Sequence, residues 1–253
     1  MRGSAEPGGR ADARARSTAS ADPAAVRTVV LVNPNSSTDT TAMMTAIARR
    51  TLGPRVLGVT AERGPRMLTD PAALRAAAPE VVAAGRRALA SGTCGALLVA
   101  AFGDPGLAEL RALTLASARG PVPVVGIGEA ALLEAAASGR SFGIATTTPL
   151  LEGAIVERVA ALGLSDRFTG LRLTEGDPEA LSADPESLRE GLARAVRQCV
   201  VRDGARAVVI GGGPLGEAAD SLRARFETPV IAPIPAACRR LARLLAATPG
   251  TAW

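Results

Sequence analysis

The sequence predicts an α/β protein of two pseudo-symmetric lobes, each a four-stranded parallel sheet flanked by helices, with a cleft between them. Three observations lead there. Short, continuously apolar runs rich in Val and Ile alternate with Ala/Leu/Arg-rich stretches of helical period, the pattern of parallel strands covered by helices on both faces. The runs fall into two sets: those starting near residues 28, 56, 96 and 122 are answered near 142, 170, 207 and 229. The loops after corresponding strands also resemble each other in pairs, as in a duplicated module. A single eight-stranded barrel of about 250 residues accounts for the same number of units, but it gives no reason for pairing at half the length.

Taken in order, Thr28–Val32 is the first predicted strand, followed by the polar turn Asn33-Pro34-Asn35-Ser36-Ser37-Thr38. Val56–Thr60 is the second, and the amphipathic stretch Ala72–Ala90 after it repeats Leu74, Ala77, Val81, Ala84 and Leu89 at helical spacing. Ala96–Ala100 leads into the small-residue turn Ala101-Phe102-Gly103-Asp104-Pro105-Gly106, and Val122–Ile127 completes the set. In the second half, Phe142–Ala145 runs into Thr146-Thr147-Thr148-Pro149, Gly170–Leu173 follows, Ala207–Ile210 leads into Gly211-Gly212-Gly213-Pro214-Leu215-Gly216, and Pro229–Ala232 comes last. The first lobe is therefore expected over 27–138, completed by a C-terminal helix over 235–248, and the second over 139–234. Residues 1–26 are rich in Gly, Ala, Ser, Pro and Arg with no apolar stretch, so they read as a disordered leader, not a secretory signal.

Composition restricts the chemistry. The chain has no His, no Lys and no Tyr, so Ser-His-Asp and Cys-His triads, lysine Schiff bases and histidine zinc sites are excluded. Its net charge of +5 is carried by scattered arginines, and aromatics make up only 2%. Nucleic-acid readers cluster their cations and interleave aromatics for stacking, so no nucleic-acid partner is expected. Cys94, Cys199 and Cys238 are far apart with no CxxC pair, which argues against a disulfide framework or a structural zinc. No apolar run reaches the ~18 residues of a membrane span. A cytoplasmic homo-oligomer is expected, with no membrane partner and no cofactor.

Ligands of open α/β sheets bind beyond the carboxyl ends of the strands. Four turns would meet there. The candidate binding residues are Asn33, Ser36, Ser37, Ala101, Phe102, Thr146 and Thr147; the candidate catalytic groups are Asp104 and the backbone amides of Gly212 and Gly213. Hydroxyls and free N–H groups at helix N-termini favour a carboxylate or an enolate oxygen. Each has a structural counterpart: Ser36, Ser37 or Thr38 can cap the next helix, and Asp104, just before Pro105, can cap the one after it. Gly211-x-Gly213-x-x-Gly216 matches a dinucleotide fingerprint, but that fingerprint belongs on a first βα turn and here opens the seventh unit. Glu129 opens a helix whose dipole it complements. Arg63 and Arg66, flanking Gly64-Pro65, could neutralise an anion or simply face solvent.

The strings Val30–Ser37, Gly64-Pro65, Phe102-Gly103-Asp104-Pro105-Gly106-Leu107, Pro123–Ala130, Phe142–Thr147 and Pro229–Pro233 together resemble the hydantoin racemase branch of the aspartate/glutamate racemase superfamily. The resemblance covers nearly everything after residue 27. It implies a two-lobed fold and cofactor-free proton transfer at a carbon next to a carbonyl, with one cysteine on each lobe moving the proton. Those cysteines would stand immediately before Phe102 and immediately after Gly211, where this chain has Ala101 and Gly212. Two-thiol racemisation is thereby excluded. The expected function is isomerisation, cyclisation or elimination on a small carbonyl or carboxylate substrate, through an enolate-like state held by hydroxyls and backbone amides. The alternatives are a ligand-binding pseudoenzyme, or a thiol-independent racemase with Asp104 as base.

Overall fold

The computed structural model describes residues 27–116 and 121–247. The expected leader, 1–26, and residue 248 of the expected last helix lie outside the described residues. The first four strands are β1 (Thr28–Asn33), β2 (Val56–Thr60), β3 (Cys94–Val99) and β4 (Val124–Gly126), separated by α1 (Thr38–Leu52), α2 (Pro71–Ala90) and α3 (Leu107–Leu115) and followed by α4 (Ile127–Ala135). The second four are β5 (Phe142–Thr146), β6 (Phe168–Leu173), β7 (Val208–Ile210) and β8 (Val230–Ile231). Between and after them lie α5 (Glu152–Ala161), α6 (Pro178–Ala183), α7 (Pro185–Val201), α8 (Gly216–Arg223) and α9 (Pro233–Ala246).

Two separate four-stranded sheets form, in the orders β2-β1-β3-β4 and β6-β5-β7-β8, with parallel pairing throughout. The same strand order in both halves confirms the two-lobed class and excludes the single barrel. Every residue of β3 and β5 is buried, which is why these strands read as unbroken apolar runs. Sequence and structure differ at strand ends: β3 starts at Cys94, β6 at Phe168, and Ile127 opens α4 instead of closing β4. Gly126 is the extended N-cap residue at that junction, so strand passes into helix with no loop between.

Helix starts follow local chemistry. Ser37 caps α1 by accepting from the Thr40 amide, and Asp70, Asp177 and Asp184 cap α2, α6 and α7, each just before a Pro at the first helical position. α9 begins at Pro233, two residues before the expected start. Its Ile234, Ala237, Cys238, Leu241 and Leu245 share a core with Val29, Leu31, Met44, Ile47 and Leu98 of the first lobe. A further cluster joins the lobes: Phe102, Ala131, Leu132 and Ala135 pack with Phe142, Ile144, Val209 and Ile231. The lobes are thus held by a shared apolar seam beneath the strand ends, which fixes the turns above it relative to one another.

Candidate functional site

A cleft with a volume of about 110 Å³ lies where the turns after β1, β3, β5 and β7 meet. That is room for a small organic molecule, at ~10–15 Å³ for each water-sized position. Its walls are mostly apolar: Met67, Leu68 and Leu74 on one side, Leu151, Ala154, Ile155 and Leu188 on the other, and Leu215 and Phe102 between. Leu151, Ala154, Ile155 and Arg158 recur at three- and four-residue spacing, so one face of α5 and the turn before it supplies a whole wall.

The turn after β1 divides its polar groups between scaffold and cleft. Asn33 Nδ2 donates to Asn35 Oδ1 at 2.7 Å, Thr41 Oγ1 at 2.9 Å and the Ser37 carbonyl at 3.1 Å, while Asn33 Oδ1 accepts from the Asn35 amide at 3.2 Å. Asn33 lines the cleft, but its donors are committed inside the turn. Asn35 Oδ1 also accepts from the Ser37 amide, which fixes that atom as the oxygen and leaves Nδ2 with no acceptor among the described residues. Asn35, which the sequence reading left out of the candidates, is the side chain with donors to offer. The signal was present in the repeated Asn of Asn33-Pro34-Asn35. Ser37 caps α1, and Ser36 ties the turn to the loop after β2, its Oγ donating to the Gly64 carbonyl and its amide to that of Pro65. Neither serine lines the cleft, so the structure gives both a scaffold position in place of the expected ligand contact.

The second lobe repeats this division. Thr146 is fully buried and its hydroxyl donates to the Gly211 carbonyl at 2.8 Å, joining the turns after β5 and β7 behind the cleft wall. Thr147 and Thr148 line the cleft, and the Thr147 hydroxyl and amide have no partner among the described residues. Gly212 and Gly213 also line it. The Gly212 amide donates to the Ile210 carbonyl at 2.9 Å, so of the two expected oxyanion donors only the Gly213 amide is uncommitted among the described residues. A side chain at 213 would meet Met44 Sδ at 3.0 Å and the Ala100 carbonyl at 3.2 Å. Glycine there lets the turns of the two lobes abut.

Asp104 stands behind the cleft and does not line it. Its carboxylate accepts from the amides of Gly128 and Glu129 at 2.9 and 2.7 Å and from Arg158 Nη2 at 2.9 Å. It therefore caps α4, across the sheet, and not the next helix in sequence, where Gly106 takes the capping position. Burial pushes the Asp104 carboxyl up to about 6, against the opposing pull of Arg158 and the two amides. Glu129 is also pushed up by burial, but a two-pronged bond from Arg111 and the charges of Arg111, Arg158 and Arg240 outweigh this and hold it below the ordinary carboxylate value. Arg158 reaches from the second lobe to both acids of the first. Nothing in the sequence singles it out, since in α5 it resembles any outward-facing arginine.

All three cysteines are free and buried away from the cleft. Burial pushes the thiols of Cys94, Cys199 and Cys238 up to about 11, 12 and 12, far from nucleophilic poise. The described lining holds no carboxylate and no thiol, and Arg158 is its one ionisable side chain.

A family model for Asp/Glu/Hydantoin racemase matches residues 29–241. The chain belongs to this family. It is 28% identical over 220 residues to a hydantoin racemase of Paenarthrobacter aurescens, covering 86% of this chain and 91% of that protein. A hydantoin racemase of Rhizobium meliloti is 29% identical over 219 residues, covering 86% and 88%. Among solved structures, allantoin racemase from Klebsiella pneumoniae superposes with a TM-score of 0.79 at 27% identity, covering 87% of this chain and 88% of that one. Arylmalonate decarboxylase shares the fold alone, with a TM-score of 0.59 at 21% identity over 88% of this chain and 96% of that one. Ala101 and Gly212, where the sequence resemblance leads one to expect the two thiols, both line the cleft, one from each lobe. A Cβ at 212 would lie 2.9 and 3.0 Å from Leu215 Cδ1 and Cγ. Leu215 thus fills the space a second cysteine would need.

Proposed function

We propose that this member of the Asp/Glu/hydantoin racemase family is a cofactor-independent enzyme that isomerises, cyclises or eliminates on a small carbonyl compound through an enolate-like state. The observation that carries this reading is the cleft's asymmetry of function: it offers hydrogen-bond donors and no base. Asn35, Thr147 and Gly213 line it with Asn35 Nδ2, the Thr147 hydroxyl and the Gly213 amide uncommitted among the described residues, and its described lining has no carboxylate or thiol to abstract an α-proton. Preorganised donors in an apolar, water-poor site stabilise a developing oxyanion more strongly than water can. The reactions that fit are those that need no protein base, with the proton moved within the substrate. The missing base equally favours a second reading, a ligand-binding pseudoenzyme. A thiol-free racemase gains no support, because Asp104 is locked to α4 and Arg158 behind the wall.

The test uses benzohydroxamate, a planar probe with an enolate-like oxygen pair. Calorimetric titration is expected to show binding that Asn35→Leu and Thr147→Val each weaken by about tenfold or more, the loss of one hydrogen bond to a charged oxygen. Unchanged affinity in both variants sinks the oxyanion reading. In deuterium oxide, a chiral benzylhydantoin is expected to gain α-deuterium no faster with the protein than in buffer alone. Enzyme-dependent exchange would instead establish a base that the cleft does not display.

A further inference from the structure

Arg158 is the one ionisable side chain of the described cleft lining, and it is only partly committed. Its Nη2 donates to Asp104 at 2.9 Å and to Glu129 at 3.3 Å. Its Nε is buried without a partner, and its Nη1 donates to no acceptor among the described residues. The Arg158 side chain is 26% exposed, and it lines the cleft.

The charge around it is unbalanced. Glu129 is held by both prongs of Arg111 at 2.9 Å and approached by Arg240 at 3.6 Å. The group of Arg111, Arg158 and Arg240 against Asp104 and Glu129 therefore carries one positive charge more than negative. Exposed arginines leave such an excess to water. Arg111 and Arg240 are more than a third exposed, whereas Arg158 is less exposed and shares the cleft lining with Leu151, Ala154 and Ile155, where a cation lacking a full set of partners is costly. The two acids fix the guanidinium in place before any ligand arrives, so little side-chain entropy remains to be lost on binding.

We propose that Arg158 is a specificity-determining residue that binds a carboxylate on the substrate, so that the cleft takes monoanionic, otherwise apolar carboxylic acids. This rests on the reading of the cleft as a binding site for a small carbonyl compound and names its class. Nη1 holds one carboxylate oxygen on the α5 wall. The donors of Asn35, Thr147 and Gly213 remain for the reacting carbonyl. Both lobes contribute to the anchor, Arg158 from α5 and its holding acids from the turn after β3 and from α4. A ligand on Arg158 therefore bears on the lobe interface as well as on α5.

The experiment compares 2-phenylpropionate with its neutral isostere 2-phenylpropionamide, by calorimetric titration of the full chain. Native protein is expected to bind the carboxylate at least about tenfold more tightly than the amide, the worth of one charge-assisted hydrogen bond. Arg158→Gln is expected to abolish that preference while leaving amide affinity within about twofold. Arg158→Lys keeps the charge and the pairing with Asp104; it is expected to retain part of the preference, and it remains a test if Arg158→Gln fails to fold. Equal affinity for the two probes in native protein overturns the anionic assignment but leaves the cleft a binding site for carbonyl compounds. A preference that survives in Arg158→Gln places the carboxylate elsewhere and overturns the assignment as well. If neither probe binds, both the assignment and the reading beneath it fall.

Discussion

Replacing Asn33 by Asp would keep the size of the side chain and exchange its two N–H donors for an oxygen. In the native chain those donors face three acceptors, Asn35 Oδ1 at 2.7 Å, Thr41 Oγ1 at 2.9 Å and the Ser37 carbonyl at 3.1 Å. Two protons fully serve two of the three, so the substitution removes two good hydrogen bonds at a residue only 1% exposed. With ~1–2 kcal/mol lost per bond, including the acceptor left unpaired, Asn33→Asp is expected to destabilise by about 3 kcal/mol. The introduced carboxyl faces oxygens in a buried turn, so its folded-state pKa lies above its unfolded value. A native state that holds a proton more tightly than the unfolded one loses stability as pH rises. The deficit should therefore be smallest in mild acid and full at neutral pH. Urea denaturation across that range measures it, with benzohydroxamate titration alongside, where affinity should fall because Asn35 is no longer held. A variant as stable as the native protein that had lost probe binding would falsify the scaffold role and place Asn33 directly on the ligand.

Other outcomes follow from the same geometry. Gly128→Ala would set a methyl group 1.9 Å from the Phe102 carbonyl oxygen, forcing α4 away from the turn that carries Ala101 and Asp104; a loss of about 2 kcal/mol or more is expected in denaturant unfolding. Burial lifts the Asp104 carboxyl from 3.8 to about 6, so its contribution to stability is complete below the unfolded value and is lost as pH rises through about 6. The stability difference between native protein and Asp104→Asn should accordingly shrink with rising pH, and a difference that grows would show that Arg158 and the two amides dominate burial. Folded native protein should show no thiol fast-reacting toward a disulfide reagent, since all three cysteines are buried, whereas Ala101→Cys should show one. Gly212→Cys should react more slowly, or unfold at lower denaturant, because Leu215 must move to admit it.

Much of the scaffold was legible because each signal is local. Continuous apolar strands, Asp-Pro and Ser helix starts and the paired loops are short-range patterns, and their physical causes act over a few residues. The cleft was legible more coarsely. Strand ends located Asn33, Ala101, Phe102, Thr147, Gly212 and Gly213 on its wall, because position after a parallel strand is enough to bring a residue there. It could not separate Asn33 from Asn35, or Thr146 from Thr147. Adjacent residues of a turn point in different directions, and which one donates into the cleft depends on acceptors such as Thr41 and the Gly211 carbonyl, 8 and 65 residues away.

By itself the sequence determined the two-lobed class, the paired turns and the removal of chemistry that needs His, Lys, Tyr or a thiol at positions 101 and 212. These depend on residue identity and period, which no folding can alter. Tertiary structure alone decided that Asp104 binds the amides of a helix 24 residues on, behind the cleft wall, that the Gly212 amide is committed, and that Arg158 crosses between lobes and lines the cleft. Those outcomes depend on which charged and polar groups meet after burial. A buried carboxylate accepts whatever donors the fold presents to it, and an arginine's role depends on whether its uncommitted nitrogen opens to water or to an apolar cleft.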